Sequence, residues 1–292
     1  MKVKYGVILG CPRSGTTFLS QALLALPNTE CIWGSHLPVS VPHIINNSIS
    51  EVNYQALAFG FRHSLDNYLD SAINSQAAAM QKFLKGCLGW QEMWQALQRK
   101  RKVDMLVYKE PFLAFAPEFA YTALPDCKII HIYRDGRDCA NSLVRSYQVL
   151  TDEKLQHLQT AEMPLGRKYD RRYVPWWVEV GKEREFLDST PYVRAVWMWK
   201  EMVRSCHEFF SRPEVVKSDR VLLLKYEDLV NDPVNIGKNV VEHLGGSMSD
   251  RLRQRFQQAK TSSVGKYKKR DPLEIETATA IAREELKLYG YL

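Results

Sequence analysis

The chain has 292 residues, 45% of them hydrophobic and 25% charged, a globular balance that excludes disordered, collagenous and coiled-coil proteins. Forty Lys and Arg against thirty-three Asp and Glu leave a net charge of +7, which suits anionic small molecules or polyanions without implying a nucleic-acid partner. The six cysteines are scattered with no C-x-x-C pair, so neither a zinc site nor a disulfide framework is expected, and a reduced cytoplasmic chain is the simplest reading. The apolar run after Met1 is too short for a secretory signal and lacks a small-residue cleavage site. No segment reaches the ~18 apolar residues that a membrane span requires.

Residues 3–9 form a β-branched apolar run ending at Gly10 and Pro12, which predicts a buried parallel strand and a turn. Residues 16–26 follow with helical spacing and stop at Pro27-Asn28. A second short strand precedes Trp33. Residues 50–101 read as a helical insert, with Tyr54, Leu57, Phe61 and Leu65 at three-to-four spacing. Residues 105–108, Lys128–Tyr133 and Val221–Lys225 are further short strands. Strands alternating with helices predict a parallel sheet. Residues 151–188 are polar and aromatic-rich and predict no regular element, only a flap on the substrate side. Thr190-Pro191 and Asp232-Pro233 are helix starts, the second helix closing at Gly245-Gly246. Two last helices, near 249–260 and 276–289, flank a basic loop at 265–270. With no repeat and no Gly-, Ser- or Pro-rich linker, residues 1–292 are expected to form one domain.

The segment Gly10-Cys-Pro-Arg-Ser-Gly-Thr-Thr17 lies between strand and helix, where backbone N–H groups and the helix dipole converge on one point and favour an anion. Its spacing matches G-x-x-x-x-G-K-[ST], except that Thr16 stands at the lysine position. Loss of that lysine argues against ordinary ATP or GTP chemistry. Farther on, Lys128–Tyr133 runs into Arg134-Asp-Gly-Arg-Asp-Cys-Ala-Asn-Ser142, where a guanidinium and a hydroxyl flank a helix start, good chemistry for a second phosphate. A local cap pairing Arg134 with Asp138 is the plainer alternative.

Taken together, C-P-R-S-G-T-T-F, Y-R-D-G-R-D-C-A-N-S and L-L-L-K-Y-E-D-L-V-N-D-P resemble, in order and spacing, the sulfotransferase family. The resemblance runs from residue 3 to the C-terminal region and covers 50–101 and 151–188 poorly. It implies an α/β, P-loop-like three-layer fold with a central parallel sheet of about four or five strands flanked by helices. It also implies transfer of a sulfuryl group from 3′-phosphoadenosine 5′-phosphosulfate (PAPS) to a hydroxyl, less readily an amine, without a metal, leaving adenosine 3′,5′-bisphosphate (PAP). Carried over by position, Pro12, Arg13, Ser14, Gly15, Thr16 and Thr17 would hold the 5′-phosphosulfate and Phe18 would stack near the adenine. Arg134 and Ser142 would hold the 3′-phosphate, with Tyr226 on the adenine side. Gly265, Lys266, Tyr267 and Lys268 look like the family's late basic loop, a solvated loop being the alternative. Arg13 stands where the small-molecule branch has Lys, as in the broader branch that includes bacterial and protein-tyrosine enzymes. Arginine would act electrostatically beside the bridging oxygen, since it cannot give up a proton.

Two residues beyond strand ends are candidate general bases. His36, in Trp-Gly-Ser-His-Leu-Pro, falls where some relatives carry a catalytic Glu, and imidazole titrates near neutral pH. Glu110, in Tyr-Lys-Glu-Pro, follows a strand in the region where the small-molecule branch has its catalytic His. His36 is the preferred base, and His43 and His131 are structural. A P-loop kinase or NTPase-like enzyme and a noncatalytic polyanion-binding module are the competing readings. The acceptor, a small molecule, sugar, lipid, carrier-tethered acyl chain or tyrosyl peptide, is not readable, nor is the oligomeric state.

Overall fold

Val7, Ile8, Leu9, Ile129, Ile130 and Ile132 are fully buried, as strands must be when helices cover both faces of a parallel sheet. A computed structural model describes residues 4–34, 40–47, 49–70, 72–98, 103–159 and 165–292. β1 (Lys4–Leu9) leads through α1 (Thr16–Leu23) to β2 (Thr29–Trp33). α2 (Ser40–Asn46) comes next, and the insert expected over 50–101 is helical, with α3 (Glu51–Asp70), α4 (Ala72–Leu84) and α5 (Trp90–Leu97) preceding β3 (Met105–Lys109). α6 (Pro117–Ala123), β4 (Lys128–Tyr133), α7 (Gly136–Tyr147) and α8 (Asp152–Gln156) follow. Next come β5 (Gly166–Tyr169), β6 (Arg172–Pro175), α9 (Glu183–Leu187), α10 (Pro191–Phe210) and α11 (Pro213–Lys217). β7 (Val221–Lys225), α12 (Tyr226–Asn231), α13 (Pro233–His243), α14 (Asp250–Phe256), α15 (Pro272–Ile281) and α16 (Arg283–Leu288) complete the fold.

Five strands form one parallel sheet in the order β2-β3-β1-β4-β7. Tyr5, Val7 and Leu9 point into a core with Phe119 of α6, Leu143 of α7 and Trp199 of α10. Ile8 points the other way, toward Leu19 and Leu23 of α1 and Val240 of α13. This alternation makes the three layers. From β1 the chain winds to one side through β2 and β3, then crosses to β4 and β7. The order therefore reverses between β1 and β4, and the crevice beyond their carboxyl ends is where such sheets bind ligands. No helix among the described residues is long and apolar enough to cross a membrane.

The structure departs from the sequence-based expectation in three places. The described part of 151–188 holds regular elements where none is expected, since β5 and β6 pair antiparallel around a tight turn in which Asp170 has φ 51°. Leu155, Val174, Val178, Phe186, Leu187 and Trp197 give this segment its own core. The buried Arg194 side chain bonds the carbonyls of Leu150 and Phe186 at 2.8 and 3.1 Å. Strands reading Gly-Arg-Lys-Tyr and Arg-Tyr-Val-Pro carry too much charge for an apolar alternation to show. The helix expected near 276–289 starts earlier, at Asp271, which caps it, and breaks at Ala282 into α15 and α16. The one expected near 249–260 ends at Phe256. The Thr190 and Asp232 caps form as expected.

Gly136 opens α7 directly beneath the buried Trp199 indole. A Cβ there would lie 2.3 Å from the ring, so Gly136→Ala is expected to cost about 2 to 3 kcal/mol of stability through overpacking, measurable as a shift in denaturant midpoint at constant slope.

Candidate functional site

The corner after β1 is shaped by its glycines. A Cβ on Gly10 would sit 2.0 Å from the Ile132 carbonyl oxygen, and one on Gly15, at φ 106°, would sit 2.6 Å from the Tyr226 ring. The backbone thus lies flush against β4 on one side and an aromatic face on the other. The Ser14 N–H donates to the Cys11 carbonyl at 3.0 Å, tightening the turn. Arg13 takes φ 75°, a left-handed conformation unusual for a residue with a side chain. Its guanidinium donates to Ser142 Oγ at 2.9 Å and to the Tyr147 hydroxyl at 3.4 Å. No side chain caps the amino end of α1, leaving its first-turn N–H groups directed at the crevice.

Arg134, at the end of β4, is the hub of the second half. Its guanidinium lies 4.7 Å from the Tyr226 ring centroid and donates to the carbonyls of Arg13 and Ser263. The buried Asp138 carboxylate stands 3.5 Å away. The expected local pairing of Arg134 with Asp138 therefore exists, while Arg134 still lines the crevice. Asp138 does more than pair, because its two oxygens accept the N–H groups of Gly265 at 2.6 Å and Tyr267 at 3.0 Å. The true cap of α7 is Asp135, which accepts from Arg137 N at 2.9 Å and holds the Arg137 guanidinium through both oxygens. Arg137 in turn covers the Tyr267 ring at 4.5 Å. Asp138→Asn removes charge and one N–H acceptor, so amide exchange at Gly265 and Tyr267 is expected to accelerate about tenfold, with unchanged rates arguing against the tether.

Two hollows meet here. A cavity of about 950 Å³ runs from Pro12, Arg13, Gly15, Thr16, Thr17 and Phe18 past Tyr226 to an apolar wall. A smaller recess of about 320 Å³ is lined by Arg13, Arg134, Arg145 and Lys266 with Asp138, Asn141 and Ser142. Arg13, Arg134, Ser142 and Ser263 line both. Four cations against one carboxylate make the recess anion-seeking. The cavity and recess thus bring together most of the sequence-predicted residues. Ser14 is buried behind the loop, lining neither hollow. Gly265 and Tyr267 hold the late loop to α7 through their N–H groups, and Lys268 projects outward.

Glu110 lies in the cavity wall at the end of β3. Pro111 starts a single 3-10 turn whose Phe112 N–H bonds Glu110 Oε1 at 3.1 Å. Burial dominates over that bond and over the Lys109 charge, raising the carboxyl from its ordinary 4.5 to about 7. Burial also lowers Lys109, which lines the same wall. His36 lies outside the described residues. His131 is buried in β4 among Tyr133, Phe210 and Tyr289, which lowers its pKa to about 3 and keeps it neutral, as a structural residue. His43 packs on Trp176 at 5.5 Å. Trp33, Trp176 and Trp177 line the cavity, whereas Trp197 and Trp199 belong to the core.

The sulfotransferase family profile matches residues 7–188. The chain belongs to the sulfotransferase family. Solved structures of similar fold include the sulfotransferase domain from the curacin biosynthetic pathway, 17% identical with a TM-score of 0.50 over 100% of this chain and 99% of that one. The sulfotransferase domain of the Synechococcus PCC 7002 olefin synthase is 18% identical, TM-score 0.48, over 96% and 95% of the two chains. A mouse sulfotransferase complexed with PAP is 12% identical, TM-score 0.48, over 98% and 84%. At these identities the likeness concerns the fold. No curated protein matches the chain.

Sequence reading of this sulfotransferase missed Arg145, Asn141, Tyr147 and Ser263 as wall residues. Arg145 and Asn141 share a helix face with Ser142 and Asp138, so the three-to-four spacing from Asp138 was the available signal. Ser263 had none, since only the tertiary fold brings its carbonyl to Arg134.

Proposed function

We propose that this sulfotransferase draws its sulfuryl group from PAPS, with the 5′-phosphosulfate at the Gly10 corner and the 3′-phosphate in the cationic recess. The observation that carries the reading is the sharing of Arg13, Arg134, Ser142 and Ser263 between cavity and recess, which suits one molecule bearing anionic groups at two places. Thr16 and Thr17 with the first-turn N–H groups of α1 hold the phosphosulfate end. Phe18 and Tyr226 flank the base, and Lys266 joins Arg134 and Ser142 on the 3′-phosphate. The residues lining the two hollows run from Pro12 to Lys266, in keeping with one catalytic domain over residues 1–292.

The donor supplies a sulfuryl group joined to phosphate by one bridging oxygen. In-line attack forms the acceptor O–S bond as the bridging S–O bond breaks, the electron pair leaving on the 5′-phosphate. Arg13 and the loop N–H groups face the charge that grows there, preorganised as in other electrostatic catalysis. Glu110 takes the acceptor hydroxyl proton, its pKa near 7 suiting a base at neutral pH. Its place in the cavity wall at the end of β3 supports this role. The acceptor is a hydroxyl on a small molecule, sugar, lipid or carrier-tethered chain.

Calorimetry with PAP and product mass with PAPS test the donor. Micromolar or tighter PAP binding together with donor-dependent gain of a sulfuryl mass is expected. Absence of PAP binding, or turnover of ATP instead, would sink the reading.

A further inference from the structure

The charged residues of the 950 Å³ cavity, Arg13, Lys109, Glu110 and Arg134, all cluster at its β1, β3 and β4 ends. The remaining arm runs between α7, the β5–β6 segment and α10. Leu143, Leu150, Leu158, Leu165, Trp177 and Met198 line it, and among its described lining residues none carries a charge, carboxylate or amide. Trp177 is held by Phe186 edge-on at 5.5 Å and lies against Phe115 at 5.9 Å, so the wall is preformed rather than collapsible. Against these described side chains a sugar or charged peptide would find no charged or amide group to pair with, and burying its polar groups there carries a desolvation cost.

We propose that the acceptor is an uncharged apolar alcohol, its hydroxyl presented to Glu110 and its hydrocarbon body lying along the arm beside the β5–β6 segment. This rests on the donor placement above and specifies the other half of the same site. The hydroxyl proton passes to Glu110, the new O–S bond forms on the alcohol oxygen, and the products are an alkyl sulfate monoester and PAP. Burial of apolar surface sets preference in such an arm, so affinity grows with hydrocarbon length until the arm is filled.

The test uses the full chain with PAPS and three kinds of acceptor: 1-hexanol, 1-octanol and 1-decanol; maltotriose; and an acidic tyrosyl peptide. Product mass and kcat/KM are recorded for each. The expected result is sulfation of the alcohols with kcat/KM rising about fourfold per methylene, and little product from the others. Leu158→Gln and Leu165→Gln are expected to lower kcat/KM for 1-decanol about tenfold while PAP affinity holds, which also verifies folding. Preference for maltotriose or the peptide, or a kcat/KM indifferent to alcohol length, overturns the proposal. If PAP binds and the alcohols are inert, only the acceptor class fails; if PAP does not bind, the donor reading fails with it.

Discussion

Glu110→Gln is expected to lower kcat about 10²- to 10⁴-fold with PAP affinity unchanged, because the amide fills the same space but cannot accept a proton. In the parent enzyme, kcat/KM should rise with pH as Glu110 ionises near pH 7, and this acid limb should vanish in the variant. The stability consequence has the opposite sense. Burial raises the folded-state pKa from 4.5 to about 7, so between those values the folded state holds a proton that the unfolded chain releases. Stability is therefore highest below that window and falls as pH climbs through it; Glu110→Gln removes that slope. His36→Ala provides the contrast. Full activity in the Glu110→Gln enzyme, together with its loss in the His36→Ala enzyme, would transfer the base to His36.

Arg134→Ala should weaken PAP binding about 100-fold, in line with loss of a charge-assisted, two-pronged contact to phosphate. Adenosine 5′-monophosphate, lacking the 3′-phosphate, should lose far less. Because Arg134 also donates to the carbonyls of Arg13 and Ser263, Arg134→Lys is the needed companion, retaining charge while giving up the planar fork. Calorimetry showing equal PAP affinity in parent and Arg134→Ala proteins would remove the recess as a phosphate site.

How much of this was readable beforehand depended on distance along the chain. The Gly10 corner is local: strand, turn glycines and helix start are contiguous, and each leaves its mark in residue type. The same holds for Asp232-Pro233 and Thr190-Pro191, where cap and first turn are adjacent. Arg134 and Ser142 were accessible because both sit in one contiguous strand-to-helix segment. Asp138 was visible only as a local partner, since its bonds to Gly265 and Tyr267 join residues that meet only in the folded chain. The β5–β6 pair was hidden for a different reason. Its Arg side chains are satisfied through Glu183, Asp188 and nearby carbonyls, so charge masked an ordinary hairpin.

The family profile stops at residue 188, whereas the aromatic platform under Arg134 is Tyr226 and the edge strand that covers β4 is β7. A fragment ending at the profile boundary would keep both signature loops yet expose the flank of β4 as an unpaired edge, inviting self-association. Its guanidinium would have lost its stacking floor. Truncation there would thus yield an aggregating remnant rather than a minimal enzyme, and any dissection of this protein has to respect the ring at 226 before the motif at 10.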